Sequence, residues 1–112
     1  MSNGSHSYDV VVVGSSNLDL VATVERLPVP GETVLGTRFA EFPGGKGLNQ
    51  AVASRRSGAD TAFITCLGKD NAGDTLHRLM IQEGIAAYVT DDADPTGRAL
   101  INVDTHGENS IV

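Results

Sequence analysis

The chain has 112 residues and 11.7 kDa, about one domain's worth, so it can support one modest core and not two. Hydrophobic residues make up 40% and charged residues 20%, which excludes wholesale disorder. The formal net charge of −6 argues against non-specific nucleic-acid binding, which needs a basic surface.

Other counts narrow the reading further. One cysteine, Cys66, allows no intrachain disulfide and points to a reducing compartment. No run of 18 apolar residues exists, so no membrane span is expected. Trp is absent, which leaves an aliphatic core. Thirteen glycines are well above the usual share of roughly 7%, so some backbone must pass close to something or adopt positive φ. Residues 1–7 are polar, lack the apolar run of a signal peptide and are expected to form a loose tail.

In chain order, Val10-Val11-Val12-Val13 ends at Gly14 and reads as a strand buried on both faces of a parallel sheet. Ser15 to Asp19 reads as a polar loop, and Leu20 to Val24 as a short strand. After the Leu27–Gly31 turn, Thr33–Gly36 and Thr37–Phe42 suggest a small hairpin. Pro43 to Gly47 breaks the chain. Leu48, Ala51, Val52 and Arg55 then fall on one helical stripe, closed by Gly58.

Thr61 to Leu67 is a second strand, and Cys66 inside it reads as an inert core thiol. Asp70 or Asn71 caps a second helix, which runs to about Glu83 and ends at Gly84. Ile85 to Thr90 is a third strand and Asp91 to Pro95 an acidic turn. Thr96 to Asp104 and then Ser110 onward read as two further strands. The pattern is an α/β domain with a β-ribbon attachment. A three-strand parallel sheet with two helices leaves long open edges, so the chain is expected to be the front part of a longer protein.

Several motifs fail. Lys46 is followed by Gly47, not Ser or Thr, and position 40 is Ala40, so there is no P-loop. Gly14 is followed by two serines, so there is no dinucleotide fingerprint. The histidines and Cys66 have no metal-ligand spacing. What remains is Gly44-Gly45-Lys46-Gly47-Leu48-Asn49-Gln50-Ala51 opening a helix. Its first-turn N–H groups, Lys46 and Asn49 can grip a polyol or an anion. Taken alone, the stretch reads first as a Gly-rich turn with a solvated Lys. Asn17-x-Asp19 follows a buried strand, where α/β folds bind ligands. A carboxylate beside an amide suits a vicinal diol, although an isolated Asn-x-Asp is also an ordinary turn.

Together these segments resemble the N-terminal signature of the ribokinase-like carbohydrate kinase family. Six residues separate Ala51 from Gly58, and nine more separate Gly58 from Gly68. Gly14 to Asp19, Pro30-Gly31-Glu32-Thr33, and Thr96-Gly97 through Asn109 match the same family in order. The resemblance implies an α/β sandwich, here its N-terminal part (residues 8–112), with a small β-sheet lid at about 20–42 and 96–112. It implies a cytoplasmic enzyme that transfers the γ-phosphoryl group of ATP to a sugar primary hydroxyl, turning ribose into ribose 5-phosphate. Mg²⁺ and K⁺ would assist. Asn17, Asp19, Gly45, Lys46, Gly47 and Asn49 would form the sugar site and Ile101 an apolar wall. Pairing of lids would make a homodimer.

Three departures stand out: Leu48 replaces a small residue, Arg55-Arg56 is unusually basic, and the family's C-terminal signature with its catalytic Asp is missing. The ATP, Mg²⁺ and K⁺ sites are implied to lie mainly with that missing part. The chain alone is therefore expected to be inactive. Two other readings stay open: a non-catalytic sugar-binding or dimerisation module, and a kinase of the same family for deoxyribose or a nucleoside.

Overall fold

The structure of the chain, a computed structural model, describes residues 6–112. Most of the expected tail, residues 1–5, lies outside the described residues. Of its remainder, His6 Nε2 sits 2.9 Å from Asp60 Oδ2.

Among the described residues, seven strands and two helices follow one another: β1 (Val10–Val13), β2 (Asn17–Thr23), β3 (Arg38–Gly44), α1 (Lys46–Arg56), β4 (Thr61–Gly68), α2 (Asn71–Gln82), β5 (Ala86–Asp92), β6 (Arg98–Val103) and β7 (Asn109–Ile111). They build two sheets. The first has order β1-β4-β5 and is wholly parallel. The second has order β3-β2-β6-β7, with β2 and β6 parallel and the outer pairs antiparallel.

The helices form where local chemistry starts and stops them. Asp70 caps α2 by accepting the Gly73 N–H at 2.8 Å. Gly84 (φ +77°) and Gly58 (φ +100°) end α2 and α1 in the left-handed region that side chains avoid. Arg55 and Arg56 complement the carboxyl end of α1. Arg56 also pairs with Glu83 at 2.6 Å, which holds the Glu83 carboxyl below its ordinary range.

One core lies between the first sheet and the two helices. Val12 and Phe63, partners across β1 and β4, meet Leu48 and Ala51 of α1 and Leu76 and Met80 of α2. Leu18 of β2 joins this cluster, so the second sheet is rooted in the same core.

Five expectations are corrected. Strand β1 is covered on one face only: Val11 is 54% and Val13 74% exposed, because both helices pack on the side of Val12 and Phe63. For the same reason Cys66 is exposed within these 112 residues and takes no part in the core they form, since it alternates with the buried Thr65 and Leu67 along β4. The expected loop at 15–19 is already strand from Asn17, which pairs with Gly44 while Leu18 pairs with Arg98. The expected 33–36 strand does not form. Instead β3 pairs with β2 along its whole length, and the 24–37 connection is clasped by Arg26 on Glu32 (2.5 and 2.7 Å). That guanidinium pulls the Glu32 carboxyl down to about 2. Pro43 is tolerated in β3 because β3 is an edge strand. Asp91 and Asp92 belong to β5, so the acidic turn begins only at Ala93.

Candidate functional site

The segment after β1, the start of β2 and the N-terminus of α1 converge at one face of the second sheet. Together with β6 and β7 they line an open cavity of about 470 Å³. Asn17 and Asp19 project into it from alternate positions of β2, on one face of the strand. Ala99 stands opposite Asp19 in the β2–β6 register, and Ile101 lies two residues on, so β6 supplies an apolar wall. Ile111 pairs with Ile101 and extends that wall onto β7. Gly45, Lys46 and Asn49 close the opposite side.

Two glycines make this geometry possible. A Cβ on Gly44 would lie 2.6 Å from Asp19 Oδ2, so any side chain there would take the space of the carboxylate. Gly45 has φ +100°, and a Cβ on it would lie 2.8 Å from the Ser15 carbonyl oxygen. Gly45 is the single residue between β3 and α1, which forces the sharp turn from strand to helix.

The polar groups of the cavity orient one another. Asn17 Nδ2 donates to Asp19 Oδ1 at 2.7 Å, which fixes both side chains. Asp19 is half-buried, and its second oxygen keeps acceptor capacity toward the cavity. The N-cap Gly45 has no side chain to cap α1, and no acidic residue sits in the first turn. The positive end of the helix and the exposed Lys46 therefore face the cavity from one side, and Asp19 faces it from the other. Among the described residues neither Lys46 nor Asp19 is in an ion pair. Such a set can accept from and donate to several hydroxyls of one small molecule at once.

The structure thus brings together Asn17, Asp19, Gly45, Lys46, Asn49 and Ile101. Gly47 does not line the cavity. It is buried one residue deeper, where a Cβ would lie 2.8 Å from the Gly14 backbone, so it serves the close approach of α1 to β1. Sequence reasoning missed Ser15, Ala99 and Ile111. The alternation of Ala99 with Ile101 is a usable signal for the first wall residue, whereas Ile111 enters only through the β6–β7 register. Among the described residues no group of three or more His, Cys, Asp or Glu side chains is placed to hold a metal ion, and no helix is long and apolar enough to cross a membrane.

A sequence model of the pfkB family carbohydrate kinases matches residues 7–112. The chain belongs to this family. Its relatives in the family include a ribokinase of Haemophilus influenzae, 45% identical over 105 residues, which cover 92% of this chain and 34% of that protein. The fold of a Thermotoga maritima ribokinase superposes with a TM-score of 0.83 at 39% identity, over 95% of this chain and 36% of that one. An Arabidopsis thaliana ribokinase, solved with ribose and ATP, superposes with a TM-score of 0.82 at 32% identity, over 96% and 36%. The chain spans about a third of the length of these ribokinase-type members.

Proposed function

We propose that this chain is the sugar-binding and lid portion of an ATP-dependent ribose kinase, which makes ribose 5-phosphate and ADP. The observation that carries this reading is the open cavity on the second sheet, where Asn17, Asp19, Lys46 and Asn49 converge beside the Gly45 backbone. The names of the relatives, ribose and ATP among the bound molecules of one, support ribose over deoxyribose or a nucleoside. Residues 8–112 are the N-terminal part of the kinase domain, and segments 20–42 and 96–112 supply the lid.

In this reading Asp19 accepts from two sugar hydroxyls while Asn17 holds it in place. Lys46 and Asn49 donate from the other side and Ile101 packs on the sugar ring. These contacts orient the primary hydroxyl and exclude water, and positioning is most of what phosphoryl transfer asks of a protein. ATP, Mg²⁺ and K⁺ are held mainly by the remaining two thirds of a family member's length, as is the catalytic Asp. A cytoplasmic location goes with this role.

The test is substrate profiling of the complete kinase that carries this chain. Phosphorylation of D-ribose ahead of 2-deoxyribose and adenosine is expected, and a preference for either of the others overturns the choice of sugar. The 112-residue chain by itself is expected to form no ribose 5-phosphate, because it supplies binding groups without the nucleotide site. Ribose 5-phosphate made by purified chain, free of host kinase, refutes this.

The lid also has an apolar side. Phe42, paired with Asp19, and Ile111, paired with Ile101, are 52% and 59% exposed on the cavity face. We propose that this face closes against the lid of a second copy, giving a homodimer. Sedimentation at micromolar concentration should return the dimer mass, and a monomer would contradict it.

A further inference from the structure

The entry of β6 into the second sheet is tied down by one carboxylate. We propose that Asp70 is a positioning residue for the sugar cavity, which acts through Thr96 to hold Gly97 against Asn17. The proposal rests on the sugar-site reading above.

Asp70 is the N-cap of α2, but the cap uses only part of its bonding. Oδ1 accepts the Gly73 N–H at 2.8 Å and also the Thr96 hydroxyl at 2.7 Å. Oδ2 accepts the Thr96 N–H at 2.9 Å and lies 3.5 Å from Arg98 Nη1. Arg98 Nη1 in turn donates to the Thr96 carbonyl at 2.8 Å. Thr96 is buried at 4% exposure, and its hydroxyl oxygen accepts the Gly68 N–H at 2.9 Å. These contacts hold the carboxyl down to about 2, so it stays charged at neutral pH and its hydrogen bonds are the stronger kind.

The next residue transmits this to the site. The Gly97 carbonyl accepts the Leu18 N–H at 3.0 Å. A Cβ on Gly97 would already be in contact with Asn17 Cβ at 3.4 Å. Two residues further, Ala99 stands opposite Asp19. A shift at Thr96 therefore reaches both polar groups of β2 within three residues. A helix cap alone requires none of the Thr96 or Arg98 contacts.

Asp70→Asn separates the two roles. Asparagine is as good an N-cap as aspartate, so Oδ1 can still serve Gly73. Its Nδ2, however, meets the Thr96 N–H and Arg98, which are both donors. In the complete kinase we expect the KM for ribose to rise about tenfold and the melting temperature to fall by a few degrees, with the KM for ATP nearly unchanged. Amide exchange at Leu18 should accelerate by about the same factor. Exchange at Asp74, whose N–H bonds to the Asp70 carbonyl, should not. Thr96→Ser should behave as wild type and Thr96→Val like Asp70→Asn, which gives a second pair should Asp70→Asn not fold.

Unchanged ribose KM together with unchanged Leu18 exchange overturns the proposal. So does a lowered melting temperature with Leu18 exchange untouched, which would make Asp70 a helix cap and nothing more. If the wild-type kinase does not act on ribose, the sugar reading fails. Leu18 exchange still decides whether Asp70 controls the geometry of β2.

Discussion

Asp19→Asn in the complete kinase should lower kcat/KM for ribose by about tenfold to a hundredfold. The carboxylate already spends one oxygen on Asn17 Nδ2 at 2.7 Å. In the variant the amide oxygen takes that bond, and the amide nitrogen, a donor only, is left facing the cavity. Two sugar hydroxyls then lose a charged acceptor. Hydrogen bonds to charged groups are worth about 1.5–3 kcal/mol, and about 1.4 kcal/mol is a factor of ten. The KM for ATP should barely move, because the proposed reading puts the nucleotide on another part of the kinase. The melting temperature should stay close to wild type, since Asn is isosteric and β2 is held by backbone pairing on both sides. Lys46→Ala should act in the same direction on ribose. If Asp19 were only a strand residue, the variant would melt earlier with normal sugar kinetics. Separate titration of ribose and ATP alongside a thermal melt distinguishes the two.

What could be read from the residues divides along the range of the interactions. Helix α2 carries its own start and stop, Asp70 and Gly84, on either side of its 12 residues, so its limits were legible. The same is true of β4 and of the end of α1 at Gly58. The partner of β3 was misread, because it is β2, across a 14-residue connection with an ion pair of its own, and not the 33–36 segment. Nothing local in Thr33–Phe42 distinguishes that pairing from a tight hairpin. The bare face of β1 and β4 was also hidden. A run of four valines reads as buried on both sides, whereas which face the helices cover is settled only by packing.

The grouping of the cavity's polar residues was more legible than the fold around it. Asn17, Asp19, Gly45, Lys46 and Asn49 lie on two short segments whose residue types state their chemistry. Their meeting depends on β2 and β3 pairing in the register that puts Asn17 opposite Gly44. Ser15 and Ile111 escaped because a serine before a strand and an isoleucine near position 112 carry no chemical signal of their own.

Gly47→Ala shows how closely the fold and the site depend on each other. The single added carbon would lie 2.8 Å from the Gly14 Cα, the Gly14 carbonyl carbon and the Ser15 carbonyl oxygen. All three are backbone atoms, so no side chain can swing aside. Helix α1 must move away from β1 by several tenths of an ångström. That strains the Leu48 N–H bond to the Ser15 carbonyl, now 3.1 Å, and disturbs the packing of Leu48 and Ala51, both essentially fully buried. Overpacking of this kind costs about 1–3 kcal/mol, whereas alanine's better helix propensity returns at most about 1 kcal/mol. Lys46 and Asn49 ride on the same first turn and would shift with it. The expected result is a melting temperature lowered by several degrees and a raised KM for ribose, with the KM for ATP unaffected. Denaturant unfolding and steady-state kinetics on the same preparation check both halves. If instead Gly47 met the sugar directly, as its place in the motif suggests, the variant would lose ribose affinity at wild-type stability. That outcome would move Gly47 from the packing of α1 on β1 into the binding site.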